Sequence, residues 1–232
     1  MITVQSAAAL ALIAALSVAG EIASAGEKKA SGAPSDSCRD RAASAVQSRY
    51  EGVRDVSARF TQTTHAARLG AASSQPVASR GRVTLAKPGK MRWTYEEPEP
   101  SLVVSDGKTV WTYDPALGEV QKLPATEGFQ TGAAAQFLLG AGDMRRDFKV
   151  TAVSCDETAA ELELVPRQPA TYEKLFLHVD PKSGDVRQTR IVDLFGTVIV
   201  VEFSEQRFNL KPPDSEFQFQ VPEGAKVIEL QQ

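Results

Sequence analysis

Between Ser37 and Glu51 the apolar residues Ala42, Ala45, Val46 and Tyr50 recur at i, i+3, i+4 and i+8. That spacing predicts a helix lying on an apolar surface, with Asp36 or Ser37 as its N-cap and Gly52 as its stop. From Val53 onward the period falls to two. Short alternating runs rich in β-branched and aromatic residues are separated by turn dipeptides, the pattern of an antiparallel meander. In Ser101–Tyr113 the dipeptide Asp106-Gly107 suits a two-residue hairpin turn. It predicts pairing of Ser105 with Lys108, Val104 with Thr109 and Leu102 with Trp111. Alternation then puts Leu102, Val104, Trp111 and Tyr113 on one face and turns Thr112 away. Upstream, Lys87-Pro88-Gly89-Lys90 reads as a type II turn between Arg80–Ala86 and Met91–Tyr95. Met91, Trp93 and Tyr95 point one way there, and Arg92 and Thr94 the other.

Further strands are expected at Phe148–Val153, Ala160–Val165, Tyr172–Val179, Val186–Leu194 and Val198–Phe203, with turns at Asp180–Gly184 and at Gly196. About ten strands in one sheet must curl. One later segment, Thr131–Leu139 between Gly128 and Gly140, reads as a short helix with Ala135, Leu138 and Leu139 along one side and Phe137 near it. A helix so short needs an apolar surface to dock on. The pattern is therefore mainly β with helices: a curved antiparallel sheet with two helices available to cover its hollow. Several large side chains on one sheet face beneath a glycine-flanked helix are what a mostly apolar ligand pocket requires. The same residues taken singly are ordinary core.

The N-terminus changes the setting. The apolar run Ala7–Gly20 precedes Ala23-Ser24-Ala25, the layout of a secretory signal over residues 1–25 with cleavage before Gly26. Its 14 residues fall short of the about 20 that a spanning helix needs. Residues 26–36 are small and polar, a disordered lead-in, and residues 37–232 form one domain. The mature chain is expected to be exported. Of 29 acidic residues only Glu21 lies in the signal, which leaves 28 against 26 basic ones and no electrostatic footprint for nucleic acid.

Cys38 and Cys155 are the only cysteines. In an exported chain such a pair is more often a disulfide than two thiols. The alternative, a nucleophilic cysteine partnered by His65 or His178, has no supporting signature around either position. No His-x-x-x-His, Gly-x-Ser-x-Gly, Cys-x-x-Cys or phosphate loop occurs, so no enzyme, metal or cofactor is expected. Glu96-Glu97, Glu161 and Glu163 read as solvated strand ends and faces.

Four stretches together resemble the outer-membrane lipoprotein carrier family (LolA). They are Val56-Ser-Ala-Arg-Phe-Thr-Gln62, Gly81-x-Val-x-Leu-x-Lys-Pro-Gly-Lys-Met-Arg-Trp-x-Tyr95, Val103-Val-Ser-Asp-Gly-Lys-Thr-Val-Trp-x-Tyr-Asp-Pro115 and Phe217-Gln-Phe-Gln-Val-Pro-Glu-Gly-Ala-Lys-Val227. The resemblance spans about residues 38 to 228. It implies an unclosed antiparallel β-barrel, or half-barrel, with a helical lid over an apolar cavity. It also implies a monomeric periplasmic carrier that takes acylated lipoproteins from an inner-membrane lipoprotein-releasing ABC transporter toward the outer membrane, with an acceptor there where one exists. The implied acyl-chain cavity comprises Phe60, Met91, Trp93, Tyr95, Leu102, Val104, Trp111, Tyr113, Phe137 and Leu138. The family often has Arg before the Pro of its second hairpin, hydrogen-bonding the lid shut. This chain has Lys87 there, without the planar fork of a guanidinium. Met91 occupies the position associated with the pocket's mouth. Two further functions use the same half-barrel: a periplasmic lipid or lipoprotein sensor, and a carrier of another amphiphile such as a glycolipid.

Overall fold

The computed structural model describes residues 36–67, 75–125 and 143–229. The expected signal sequence, the lead-in through residue 35 and the lid helix with Phe137 and Leu138 lie outside these. A helix, α1 (Asp36–Gly52), opens the described chain, taking in Asp36. Six strands follow: β1 (Asp55–His65), β2 (Val77–Ala86), β3 (Lys90–Glu97), β4 (Ser101–Asp106), β5 (Thr109–Asp114) and β6 (Glu119–Pro124). A single turn of helix, α2 (Met144–Asp147), leads into β7 (Phe148–Cys155), β8 (Ala160–Pro166), β9 (Tyr172–Val179), β10 (Val186–Asp193) and β11 (Val198–Phe208). A 3₁₀ turn (Asp214–Phe217) and β12 (Lys226–Glu229) end it.

All the described strands form one unclosed sheet, ordered β12-β6-β5-β4-β3-β2-β1-β11-β10-β9-β8-β7. Neighbours are antiparallel except β12, which runs parallel to β6 along its edge. β6 and β12 escaped the pattern reading for a physical reason. Val120 and Leu123 of β6 fall on opposite faces, so neither face shows a period of two, and β12 is four residues long. β11 runs past the expected Phe203 to Phe208, through a bulge in its pairing with β1 and a polar stretch in which Glu205 has φ 52°.

The hairpin β4–β5 departs from the expected register. Ser105 pairs with Val110, Val104 with Trp111 and Leu102 with Tyr113. Asp106 stands before the turn, its Oδ1 accepting the backbone N–H groups of Lys108 and Thr109 at 2.8 Å each. Gly107, at φ +92°, takes the first central position, where a side chain would be strained. The shift is by two residues, so the alternation of faces is kept. In the β2–β3 loop Ala86 pairs with Lys90 around Lys87-Pro88-Gly89, Gly89 has φ 65° and the Lys87–Pro88 peptide is cis.

One face of the sheet carries the main core. Val56, Ala58, Phe60, Val83, Leu85 and Met91 join Leu162, Leu164, Leu175, Leu177 and the α1 residues Ala42, Ala43, Val46 and Tyr50 in one cluster. We call this the inner face. The disulfide Cys38–Cys155 ties the start of α1 to the end of edge strand β7, with 6.1 Å between Cα atoms. The other end is fixed by the ion pair Arg49–Asp185 at 2.7 Å and by Tyr50, whose hydroxyl accepts the Val186 N–H at 3.3 Å. Between them Gly184 lets the helix backbone come close, since a Cβ there would sit 2.2 Å from the Ala45 carbonyl oxygen.

Burial pushes the Tyr50 phenol up to about 12, the Val186 hydrogen bond opposing it. A tyrosine in the unfolded chain titrates near 10. The folded state therefore holds the proton more tightly. Its contribution to stability is complete below about pH 10 and is lost as pH rises from there toward 12. Tyr50→Phe should flatten this alkaline loss in urea unfolding series across that range; an unchanged slope would mean another group dominates.

Candidate functional site

Strand register sets the inner face row by row. In the first row Val56, Leu85, Met91, Ser105, Val110 and Leu123 lie side by side from β1 to β6. Next come Ala58, Val83, Trp93, Val103, Thr112 and Gln121, and then Phe60, Gly81, Tyr95 and Ser101. Aromatic rings dominate the middle. Phe60 meets Trp93 edge-on at 4.8 Å between centroids and Tyr95 at 5.1 Å, and Trp93 lies 6.4 Å from Phe203. Gly81 makes this packing feasible, because a Cβ there would lie 1.9 Å from the Thr94 carbonyl oxygen and 3.1 Å from the Phe60 ring.

Beside the rings, a small apolar gap of about 10 Å³, partly open to solvent, is lined by Tyr50, Val56, Ala58, Val83, Leu85 and Phe203 among others. Pockets for drug-sized ligands run from about 300 Å³ upward, so a gap that holds about one water must open widely before long acyl chains can enter. Lys87 sits at this end, its ammonium donating to the backbone carbonyl of Tyr50 in the last turn of α1. Its amide donates to Arg54 O at 2.8 Å. Partial burial pulls the Lys87 ammonium below the usual lysine value, with Glu51 opposing the shift.

The expected site residues do not all meet. Phe60, Met91, Trp93 and Tyr95 share the inner face. Leu102, Val104, Trp111 and Tyr113 share a face with one another but lie on the opposite, outer side, because β3 and β4 pair Trp93 with Val103 and Arg92 with Val104. One cavity lined by both sets is thus corrected to two separate apolar surfaces. On the outer one Phe219, from the stretch after the 3₁₀ turn, packs on Trp111 at 6.2 Å and on Tyr113 at 6.0 Å. Val104, Val120 and Phe217 are fully buried there, outside the main cluster. Thr112, expected to point away from the pocket, lies on the inner face. Sequence reasoning missed Tyr50, Val103 and Phe203 as inner-face groups. Alternation along Val198–Phe208 was the available signal for Phe203.

Both cysteines weighed as nucleophiles are taken up in the disulfide. His65 is exposed at the end of β1, and His178 lies in register between Glu161 and Gln188 on the outer face. Glu96 pairs with Arg82 at 2.7 Å, Glu163 with Lys174 at 3.7 Å and Glu161 with Arg190, all on the outer face. Among the described residues no group of His, Cys, Asp or Glu could hold a metal, and no helix is long and apolar enough to cross a membrane.

These features define a class: an open, single-sheet β half-barrel with an aromatic, apolar inner face. A family model described as "Outer membrane lipoprotein carrier protein LolA" matches residues 51–220. An outer-membrane lipoprotein carrier protein of Bordetella avium is 30% identical over 200 residues, covering 85% of this chain and 92% of that protein. One from Methylobacillus flagellatus is 34% identical over 149 residues, covering 64% and 71%. The chain belongs to the outer-membrane lipoprotein carrier family. Among solved structures, a LolA superfamily protein of Nitrosomonas europaea superposes with a TM-score of 0.44 at 14% identity, covering 78% of this chain and 98% of that one, a likeness too distant to bear on function.

Proposed function

We propose that this protein is a periplasmic carrier that shields the acyl chains of lipoproteins on its inner face during their passage to the outer membrane. It does so without catalysing a reaction. The observation that carries this is the continuous apolar surface formed by Phe60, Trp93, Tyr95, Met91 and Leu85, with α1 as its wall and a gap beside it. Family membership supports the same reading. Cargo would arrive from an inner-membrane ABC transporter and leave to an outer-membrane acceptor.

Energetics favour a cavity that closes when empty. At about 0.8 kcal/mol per buried methylene, three fully buried long chains would exceed the about 18 to 21 kcal/mol at which non-covalent affinities saturate. Release would then be too slow for a shuttle, and the work of separating α1 from the sheet offsets part of that affinity. Lys87 contributes to this closure through its bond to α1. A charged donor is worth about 1.5 kcal/mol or more when buried and less at this exposure. Lys87→Met should therefore change the release rate of a fluorescent acylated peptide by about fivefold in stopped-flow chase experiments, with little change in melting temperature. An unchanged rate would remove Lys87 from the closing contact. The reading as a whole is tested by mass spectrometry of material co-purifying from the periplasm. Acylated cysteinyl peptides are expected, and glycolipid or no lipid would contradict it.

A further inference from the structure

The inner face changes character along β1. Val56, Ala58 and Phe60 give way to Gln62, and on β2 Leu85 and Val83 give way to Ser79, while β11 keeps Val201 opposite Gln62. At this boundary the Tyr95 hydroxyl donates to Gln62 Oε1 at 3.1 Å, and the Gln62 amide donates to Thr64 Oγ1 at 3.5 Å. An amide nitrogen carries two N–H groups. The other finds no protein acceptor among the described residues. The phenol is mostly withdrawn from water, and burial raises its pKa, so it remains a donor throughout the neutral range.

From Gln62 to Val56, beside the Tyr50 gap, is six residues, about 20 Å at about 3.3 Å per strand residue. That is about the reach of an extended palmitoyl chain. Charge is distributed to match an uncharged ligand. In β1 to β6 every Lys and Arg (Arg59, Arg80, Arg82, Lys90, Arg92 and Lys122) falls on the outer face by register, leaving no cation in these strands to meet a phosphate.

Resting on the carrier reading, we propose that the Tyr95–Gln62 pair is the polar end of the acyl cavity, where the ester or amide carbonyl joining chain to cysteine accepts the second Gln62 N–H, the Tyr95 hydroxyl holding the amide in that orientation. The chains then run along β1 toward Tyr50, with the polypeptide outside. The pair is a specificity device: it selects acyl over plain alkyl chains, and neutral linkages over phosphate headgroups.

The test compares two fluorescent cysteinyl peptides, one with ester- and amide-linked palmitoyl chains and one with ether-linked hexadecyl chains. Wild-type protein should hold the acyl peptide about fivefold more tightly, the value of one hydrogen bond. Tyr95→Phe, which releases the amide it orients, should bring that ratio near one, both peptides being measured on the same variant. Gln62→Met, which keeps the side-chain length, serves the same purpose if Tyr95→Phe melts early. Tyr113→Phe, on the outer face, should leave the ratio as in wild type. A wild-type ratio of one, or a ratio that stays at the wild-type value in both Tyr95→Phe and Gln62→Met, would overturn the inference while leaving the carrier reading intact. Binding of neither peptide by wild type would overturn both.

Discussion

Glutamate at position 103 should lower retention of an acylated peptide by more than tenfold, whereas glutamate one residue earlier, at 102, should leave it within about twofold. Val103 lies on the inner face between Trp93 and Thr112 and packs against the main core. A carboxylate there loses its water and gains no partner, a cost of at least about 2 kcal/mol that is borne where chains would lie. Leu102 lies on the outer face between Thr94 and Tyr113, so its replacement loosens the packing around Phe219 instead. Equilibrium binding of a fluorescent acylated peptide, read on variants of matched melting temperature, separates the two. Val103→Thr provides a milder probe if Val103→Glu is too unstable. Greater loss at 102 than at 103 would place the ligand on the outer face.

Replacing both cysteines by serine should produce the largest change in stability. The Cys38–Cys155 bridge closes a loop of sequence separation 117, for which the chain-entropy treatment gives roughly 4 to 5 kcal/mol. Since about 1 kcal/mol shifts the midpoint of a domain this size by roughly 2 to 4 °C, melting should fall by about 10 °C or more. The helix α1 should respond first. Its start is tied through Cys38, while its end keeps the Arg49–Asp185, Tyr50–Val186 and Lys87–Tyr50 contacts. Amide exchange should therefore rise from the N-terminal turns of α1 and spare its last turn. Intact mass measured without reduction should be two hydrogens below the reduced value. Alkylation of both thiols without prior reduction, or an unchanged melting temperature in the double variant, would show that the bridge does not hold α1.

The sequence by itself determined the local elements, because those depend on neighbours in the chain. The Ala42–Val46–Tyr50 stripe marks a helix, and strict alternation marks Met91-Trp93-Tyr95 and Leu102-Val104 as faces of strands. Even a hairpin register wrong by two kept Leu102, Val104, Trp111 and Tyr113 together, since side chains alternate with period two. The family motifs lie in these same strands and turns, so kinship was legible with them. What only the tertiary structure decided was how one hairpin's faces relate to the next. That depends on the pairing of β3 with β4 across Pro98-Glu99-Pro100, where Trp93 opposes Val103 rather than a residue one position away. A single-residue step there exchanges inside for outside along the whole of β4 and β5, and no local signal fixes it. Contacts between distant segments were equally invisible: Phe219 over Trp111, β12 along β6, and the Lys87 ammonium on the end of α1. Each joins residues far apart in sequence, and the closing of the half-barrel around its core brings them together.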